Sequence, residues 1–82
     1  MKATVYGIQR RVKWSYQGKE GYNQRLHLVY PEEMNNPETL EYGFRVESIK
    51  VPERVDISKI KVNDMVEIYY NRYGQVESVV KI

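Results

Sequence analysis

Few residues of this chain could carry catalysis. Its 82 residues include one histidine, His27, and no cysteine, which excludes a disulfide framework, a thiolate nucleophile and a cysteine-based zinc site. His27 alternates with Arg25 in an extended pattern and has no carboxylate beside it, which favours a surface position. The acidic pair Glu32-Glu33 lies in a stretch rich in proline and asparagine, and no glycine pattern of a nucleotide-binding loop occurs. The sequence therefore predicts a protein that is not an enzyme and uses no cofactor or metal.

Positive charge is concentrated in the first third of the chain, although the net charge is only +2. Residues 1–30 carry a local charge of +5, residues 31–41 carry −4 and residues 42–82 carry +1. A local basic patch is enough to attract a polyanion, so the small total does not exclude such a partner.

Basic and aromatic residues alternate between positions 10 and 25. Strand parity predicts that Arg11 and Lys13 share an outward strip with Arg25 and His27, whereas Trp14 is predicted to enter the core. Lysine and arginine follow the phosphates of a single strand, and its bases stack on tyrosine. The predicted nucleic-acid contacts are Arg10, Arg11, Lys13, Tyr16, Lys19, Tyr22, Arg25, Arg45, Arg72 and Tyr73.

The elements that must position these residues are strands. Residues 3–16 predict one long strand that bends at Gly7, where the apolar residues change parity. Residues 17–21 predict a hairpin turn or a flexible loop, and residues 22–30 a half-buried strand with Leu26, Leu28 and Tyr30 inward. Pro31 is expected to end this strand, and residues 31–41 to form a solvated loop.

The second half of the chain continues this pattern. Residues 42–46 predict a strand, extendable to Val51, in which Tyr42, Phe44 and Val46 point inward. Residues 56–60 predict one helical turn capped by Asp56. A strand with inward Val66, Ile68 and Tyr70 then leads through a tight hairpin at residues 71–74, with Gly74 at positive φ, to a closing strand over residues 75–82. One face of that strand is predicted to carry Val76, Val80 and Ile82.

Five strands without a long helix predict one all-β domain over residues 1–82. A closed or nearly closed barrel removes exposed sheet edges, so we expect a five-stranded OB-fold-like Greek-key barrel. An SH3-like barrel is the alternative, because periodicity alone does not separate the two.

The order and spacing of several short motifs resemble the single-stranded-DNA-binding proteins of filamentous bacteriophages. Gln17-Gly18-Lys19 followed by Tyr22 is similar to the DNA-binding loop of that family, and Asn23-Gln24-Arg25-Leu26 then leads into the second strand. Tyr73-Gly74 resembles the aromatic-glycine pair at the tip of the family's long hairpin, and Arg45 could stand for a basic DNA contact. The resemblance implies an OB-fold homodimer that coats single-stranded DNA with little sequence preference, in DNA replication or in the handling of plasmid or phage DNA.

Two other functional classes stay open. One is a small β-barrel protein-interaction module that uses Tyr69 and Tyr73, and the other is an RNA-binding OB-fold protein, since a single hydroxyl contact distinguishes RNA from DNA. No apolar run approaches the ~18 residues of a membrane span, and the N-terminus shows no secretory signal. The sequence therefore predicts a cytoplasmic protein without a membrane or small-molecule partner.

Overall fold

One antiparallel sheet of five strands makes up the fold. The computed structural model describes the backbone of residues 1–82 and every side chain except those of Met34 and Glu41. The strands are β1 (Lys2–Tyr16), β2 (Lys19–Asn36), β3 (Glu41–Pro52), β4 (Met65–Tyr70) and β5 (Val76–Lys81). They lie side by side in the order β3-β2-β1-β4-β5. The prediction of an all-β fold is confirmed, and no helix long and apolar enough to cross a membrane occurs among the described residues.

Strand β1 is long and bent, as predicted. Its register against β2 shifts between Val5 and Gly7, so Tyr6 is the extra residue of a β-bulge. A Cβ atom at Gly7 would lie 2.9 Å from Cδ2 of His27, so a glycine is needed where the two strands approach closely. A second shift, which the sequence did not reveal, lies between Gln9 and Val12.

The turn between β1 and β2 is tight. Tyr16 pairs directly with Lys19, and the two residues between them, Gln17 and Gly18, have φ angles of 50° and 77°. Two central residues at positive φ are typical of a two-residue type I′ hairpin turn. The hairpin is therefore confirmed, whereas the flexible loop over residues 17–21 is wrong because strand pairing continues to the turn.

Strand β2 continues past Pro31, where we had expected it to end. Its pairing with β3 is irregular between Val29 and Glu33, which places the proline where no ladder hydrogen bond from its nitrogen is required. Residues 31–41 are thus not a loop, because the strands extend to a turn at residues 37–40. The segments 33–36 and 41–44 are paired up to this turn.

The core lies on one face of the sheet and is closed by the segment between β3 and β4. Val55, Ile57 and Ile60 of that segment are buried against the strands. The segment contains turns in place of the predicted helical turn: the Asp56 carboxylate accepts a hydrogen bond from the Ser58 amide at 2.9 Å. Hydrogen bonding from the Ser58 hydroxyl, together with that amide bond, keeps the pKa of Asp56 below its ordinary value. The inward assignment of five residues is confirmed, namely Leu26, Leu28, Tyr30, Val66 and Ile68, and Val76 is buried as well.

Other inward assignments are wrong. The side chains of Tyr42, Phe44 and Val46 are 83%, 58% and 69% exposed. Ile49 and Val51 occupy the core face of β3, so alternation along the strand sends these three even-numbered residues to the opposite face.

In β5 a register shift opposite Tyr69 and Tyr70 brings Val79 into the core and leaves Val80 and Ile82 exposed. Tyr70, predicted inward, is 37% exposed.

The sheet is not closed into the expected barrel. Strands β3 and β5 are its two edges, and a cleft of about 580 Å³ lies between them, lined by residues that include Ser48, Lys50 and Gln75. Strand β5 has six residues against twelve in β3, and Pro52 at the end of β3 lacks the N–H that a ladder requires.

Candidate nucleic-acid interface

Strands β1, β2 and β3 present a face that points away from the core, which we call the outer face. Residues directly opposite each other on paired strands share a face, so the outer positions of β2 follow from its buried Leu26 and Leu28. They are the odd-numbered residues of β2 and the even-numbered residues of β3. The second bulge of β1 brings Val12, Trp14 and Tyr16 to the same face.

Five exposed aromatic side chains lie on the outer face. Tyr6 is 63% exposed, Trp14 40% and Tyr16 69%, and Tyr42 and Phe44 of β3 complete the set. Trp14 is therefore not a core residue. Its indole lies over Gly21 on the neighbouring strand, where a Cβ atom would be only 2.6 Å from Cζ2 of the ring. The glycine holds the indole flat against the sheet with one ring face available.

Three cations of the outer face have no ion pair. Lys19, Arg25 and Lys50 form no salt bridge with any described side chain. Arg25 stands directly opposite Lys50 in the β2–β3 ladder. Like charges in opposite positions destabilise a sheet, and an anion bound between them would remove that repulsion. This pair is the strongest feature of the site for a phosphate.

The ring of Tyr6 separates two hollows on the outer face. The larger, of about 390 Å³, is bordered by Val29, Val46 and the hydrogen-bonded pair of His27 Nδ1 and Ser48 Oγ. The smaller, of about 170 Å³, lies on the side of Phe44. An aromatic wall beside polar ring and hydroxyl groups suits a flat heterocycle, which would stack on Tyr6 and accept or donate hydrogen bonds at its edge.

The predicted strip of Arg11, Lys13, Arg25 and His27 does not exist. Arg10 and Arg11 both oppose Gln24 in the second bulge of β1, which reverses the parity of the strand beyond it. Arg11 and Lys13 consequently lie on the face opposite to Arg25 and His27.

Arg10 is committed to the fold. Its Nη1 donates to the carbonyl of Ile57 at 3.0 Å, and its Nη2 donates to the carbonyl of Ile60 at 2.9 Å. Both carbonyls belong to the segment that closes the core. These bonds hold the guanidinium on the core side of the sheet, away from the outer face.

The other face of the β1–β2 hairpin carries paired charges. The Arg11 guanidinium lies 4.2 Å from the centroid of the Tyr22 ring, and Lys13 Nζ lies 3.7 Å from a carboxylate oxygen of Glu20. Tyr22 thus has one ring face covered by Arg11, whereas Tyr16 at the turn is open. These residues form a second, weaker cationic surface.

Arg45 is likewise partnered. It lies over the Tyr30 ring at 4.2 Å and 3.8 Å from Glu47, to which the Tyr30 hydroxyl donates a hydrogen bond at 2.8 Å. Burial of Tyr30 and its bond to Glu47 raise the pKa of Tyr30 to about 12. Partial burial also raises the pKa of Tyr70. Arg45 therefore neutralises and covers a small inner cluster, and it does not belong to the outer face.

Arg72 and Tyr73 lie at the apex of the β4–β5 hairpin. The guanidinium donates to the hydroxyl of its neighbour Tyr73 at 2.8 Å, and Tyr73 is 72% exposed. The Asn71 side-chain oxygen accepts hydrogen bonds from the amides of Tyr73 and Gln75, and Gly74 has a φ of 76°. The predicted tight turn with glycine at positive φ is confirmed, and Tyr69, predicted outward, is 50% exposed.

Of the ten predicted contacts, the outer face unites Tyr16, Lys19 and Arg25. Sequence reasoning missed Tyr6, Trp14, Tyr42, Phe44 and Lys50, which belong to it. Alternation along β3 from the core residues Ile49 and Val51 places Lys50 and Phe44 on the outer face. Lys50 could therefore have been predicted from the sequence.

Comparison with known proteins identifies no relative. No protein-family model matches this chain, no curated protein matches it, and no solved structure matches it.

Proposed function

We propose that this chain is a non-enzymatic protein that binds single-stranded DNA along its outer face with little sequence preference. The observation that carries the proposal is the combination, on one sheet face, of five exposed aromatic rings and three cations that pair with no described carboxylate. Cations that follow a backbone and rings on which bases stack are the two requirements for binding a single strand without reading its sequence.

The proposal includes an OB-fold-like architecture. In this chain β1 pairs with both β2 and β4, and the strand order leaves β3 and β5 adjacent to the open seam. A five-stranded, partly open arrangement is compatible with an OB-fold, whose outer strand 2–3 surface binds oligonucleotides. The same surface here holds Arg25, Lys50, Tyr42 and Phe44.

The direct test is fluorescence anisotropy with labelled oligo-dT at several salt concentrations. Three phosphate contacts predict a slope of log K against log salt of about −2, since each contact contributes roughly −0.7 on a single strand. Arg25→Ala and Lys50→Ala are each expected to weaken binding and to flatten the slope by about 0.7. Lys59→Ala, an exposed cation on the segment that closes the core, is the matched control and should change neither quantity.

Aromatic stacking is tested separately. Tyr6→Ala and Tyr16→Ala should each lower affinity by about 1–3 kcal/mol with an unchanged salt slope, because stacking does not involve counterions. No binding of oligo-dT at micromolar protein and low salt would refute the proposed function.

Two further outcomes decide between related functions. Equal or tighter binding of a matched RNA oligomer would indicate an RNA-binding protein. A partner captured through the exposed rings after nuclease treatment, together with no affinity for either oligomer, would indicate a protein-interaction module.

A further inference from the structure

The free edge of β3 has a sequence that complements itself. Strand β3 pairs with β2 on one side and ends the sheet on the other. Beyond the kink at Gly43, where φ is 96°, the edge runs over residues 44–48, of which Glu47 and Ser48 also border the cleft at the β5 side. Native proteins normally protect such an edge, since its unpaired backbone groups invite another strand.

A two-fold axis through Val46 would pair this edge with its own copy. In an antiparallel ladder centred there, Val46 faces Val46 of the second copy, Arg45 faces Glu47, and Phe44 faces Ser48. Arg45 and Glu47 already lie 3.8 Å apart within one chain, on one face of the strand. The ladder would therefore join four alternating charges, while Val46, 69% exposed in the single chain, would be covered.

We propose that two copies of this chain associate through residues 44–48 of β3 and form one continuous sheet. The partner is a second copy, because opposite charges face each other only when this edge pairs in the antiparallel direction with an identical edge. The pairing does not involve the hairpin tip at Tyr73-Gly74. The outer faces of the two copies would become neighbours, so the biological meaning of the pairing rests on the proposed function.

Complementary charge reversal tests the register. Sedimentation velocity should give a dimer for the unaltered chain. Arg45→Glu places two carboxylates on each edge, and Glu47→Arg places two guanidinium groups there, so each variant alone should dissociate, with a dimer dissociation constant raised roughly tenfold or more. An equimolar mixture of the two variants should associate again, because the acidic edge then faces the basic one.

Val46→Lys is a second variant that does not touch the inner cluster of Arg45, Glu47 and Tyr30. It puts like charges opposite each other on the two-fold axis at a solvent-exposed position, so it should give folded monomers, as judged by circular dichroism. Tyr73→Ala, at the hairpin tip, is the control and should remain dimeric.

Three results would overturn the inference: a monomeric unaltered chain at several hundred micromolar, a dimer that survives Val46→Lys, or dissociation by Tyr73→Ala alone. Anisotropy with oligo-dT on the same samples separates the two proposals. Monomers that bind DNA would refute only the β3 pairing, whereas dimers that do not bind DNA would refute only the proposed function.

Discussion

The role of Arg10 provides the sharpest test of the fold against the sequence pattern. Arg10→Ala removes two charge-assisted hydrogen bonds to the carbonyls of Ile57 and Ile60, both of whose side chains are buried. Each such bond contributes about 1.5–3 kcal/mol when it is shielded from water, and less here because Arg10 is exposed and water can hydrate the freed carbonyls. We expect the free energy of unfolding to fall by about 1–2 kcal/mol.

Urea unfolding followed by circular dichroism measures this change. With a denaturant slope near 1 kcal/mol per molar, as expected for a small domain, the midpoint should fall by about 1–2 M. Arg10→Lys keeps the charge but cannot donate to both carbonyls in the same geometry. Its urea midpoint should therefore lie between those of the unaltered chain and Arg10→Ala. Arg11→Ala is the matched control, and it should change stability by less than about 1 kcal/mol because it loses one exposed contact with Tyr22. Unchanged stability of Arg10→Ala, together with a DNA affinity lowered as much as by Arg25→Ala, would show that Arg10 binds phosphate and that our reasoning is wrong.

Three further predictions concern packing and ionisation. Gly21→Ala should displace the indole of Trp14, the only tryptophan, and shift its fluorescence to longer wavelength, because the new Cβ atom would lie 2.6 Å from the ring. The contribution of Tyr30 to the free energy of unfolding should be fully present below pH 10 and should be lost as the pH rises from 10 to about 12. The reason is that the Tyr30 hydroxyl ionises near 10 in the unfolded chain but near 12 in the folded one. Tyr30→Phe should reduce that decline. Leu26→Ala, at a fully buried position, should lower the free energy of unfolding by about 2–5 kcal/mol in urea.

Each of these has an outcome that contradicts it. Unchanged emission of Gly21→Ala would mean that the indole does not lie on that glycine. An alkaline stability profile that is the same for Tyr30→Phe and the unaltered chain would remove the burial argument for Tyr30. Val62→Ala, at a half-exposed position, is the control for Leu26→Ala, and an equal loss in both would mean that Leu26 is not in the core.

Local signals in the sequence predicted most of the strands. Gly18 at the first turn and Gly74 at the last one have the positive φ angles that tight hairpins require, so a glycine marks each hairpin in the sequence. Alternation over residues 26–30 placed Leu26, Leu28 and Tyr30 correctly because no irregularity interrupts that stretch. The prediction that Pro31 ends the strand was wrong, because a proline is compatible with a strand where the ladder is already irregular.

The side on which a residue lies was predictable only between bulges. Alternation assigns every residue of a strand to a face once one buried residue is known. A single inserted residue reverses this assignment for all residues that follow it in the strand. The bulge at Tyr6 was visible as a change in the apolar pattern at Gly7. The bulge at Arg10 and Arg11 was not visible, because two arginines leave no apolar residue to mark the reversal.

That second bulge also explains why the candidate site contains other residues than the sequence predicted. It turns Arg10 towards the carbonyls of the core-closing segment and Arg11 towards Tyr22. These two consecutive arginines therefore lie on the face opposite to Arg25. The same reversal brings Trp14 and Tyr16 to the outer face beside Lys19. A basic segment in the sequence thus becomes an aromatic surface with few cations, on which stacking should provide more of the affinity than charge. The ratio of the stacking losses to the salt slope in the anisotropy experiments measures that balance, and a slope clearly steeper than about −2 would require more than three phosphate contacts and would assign a binding role to the opposite face as well.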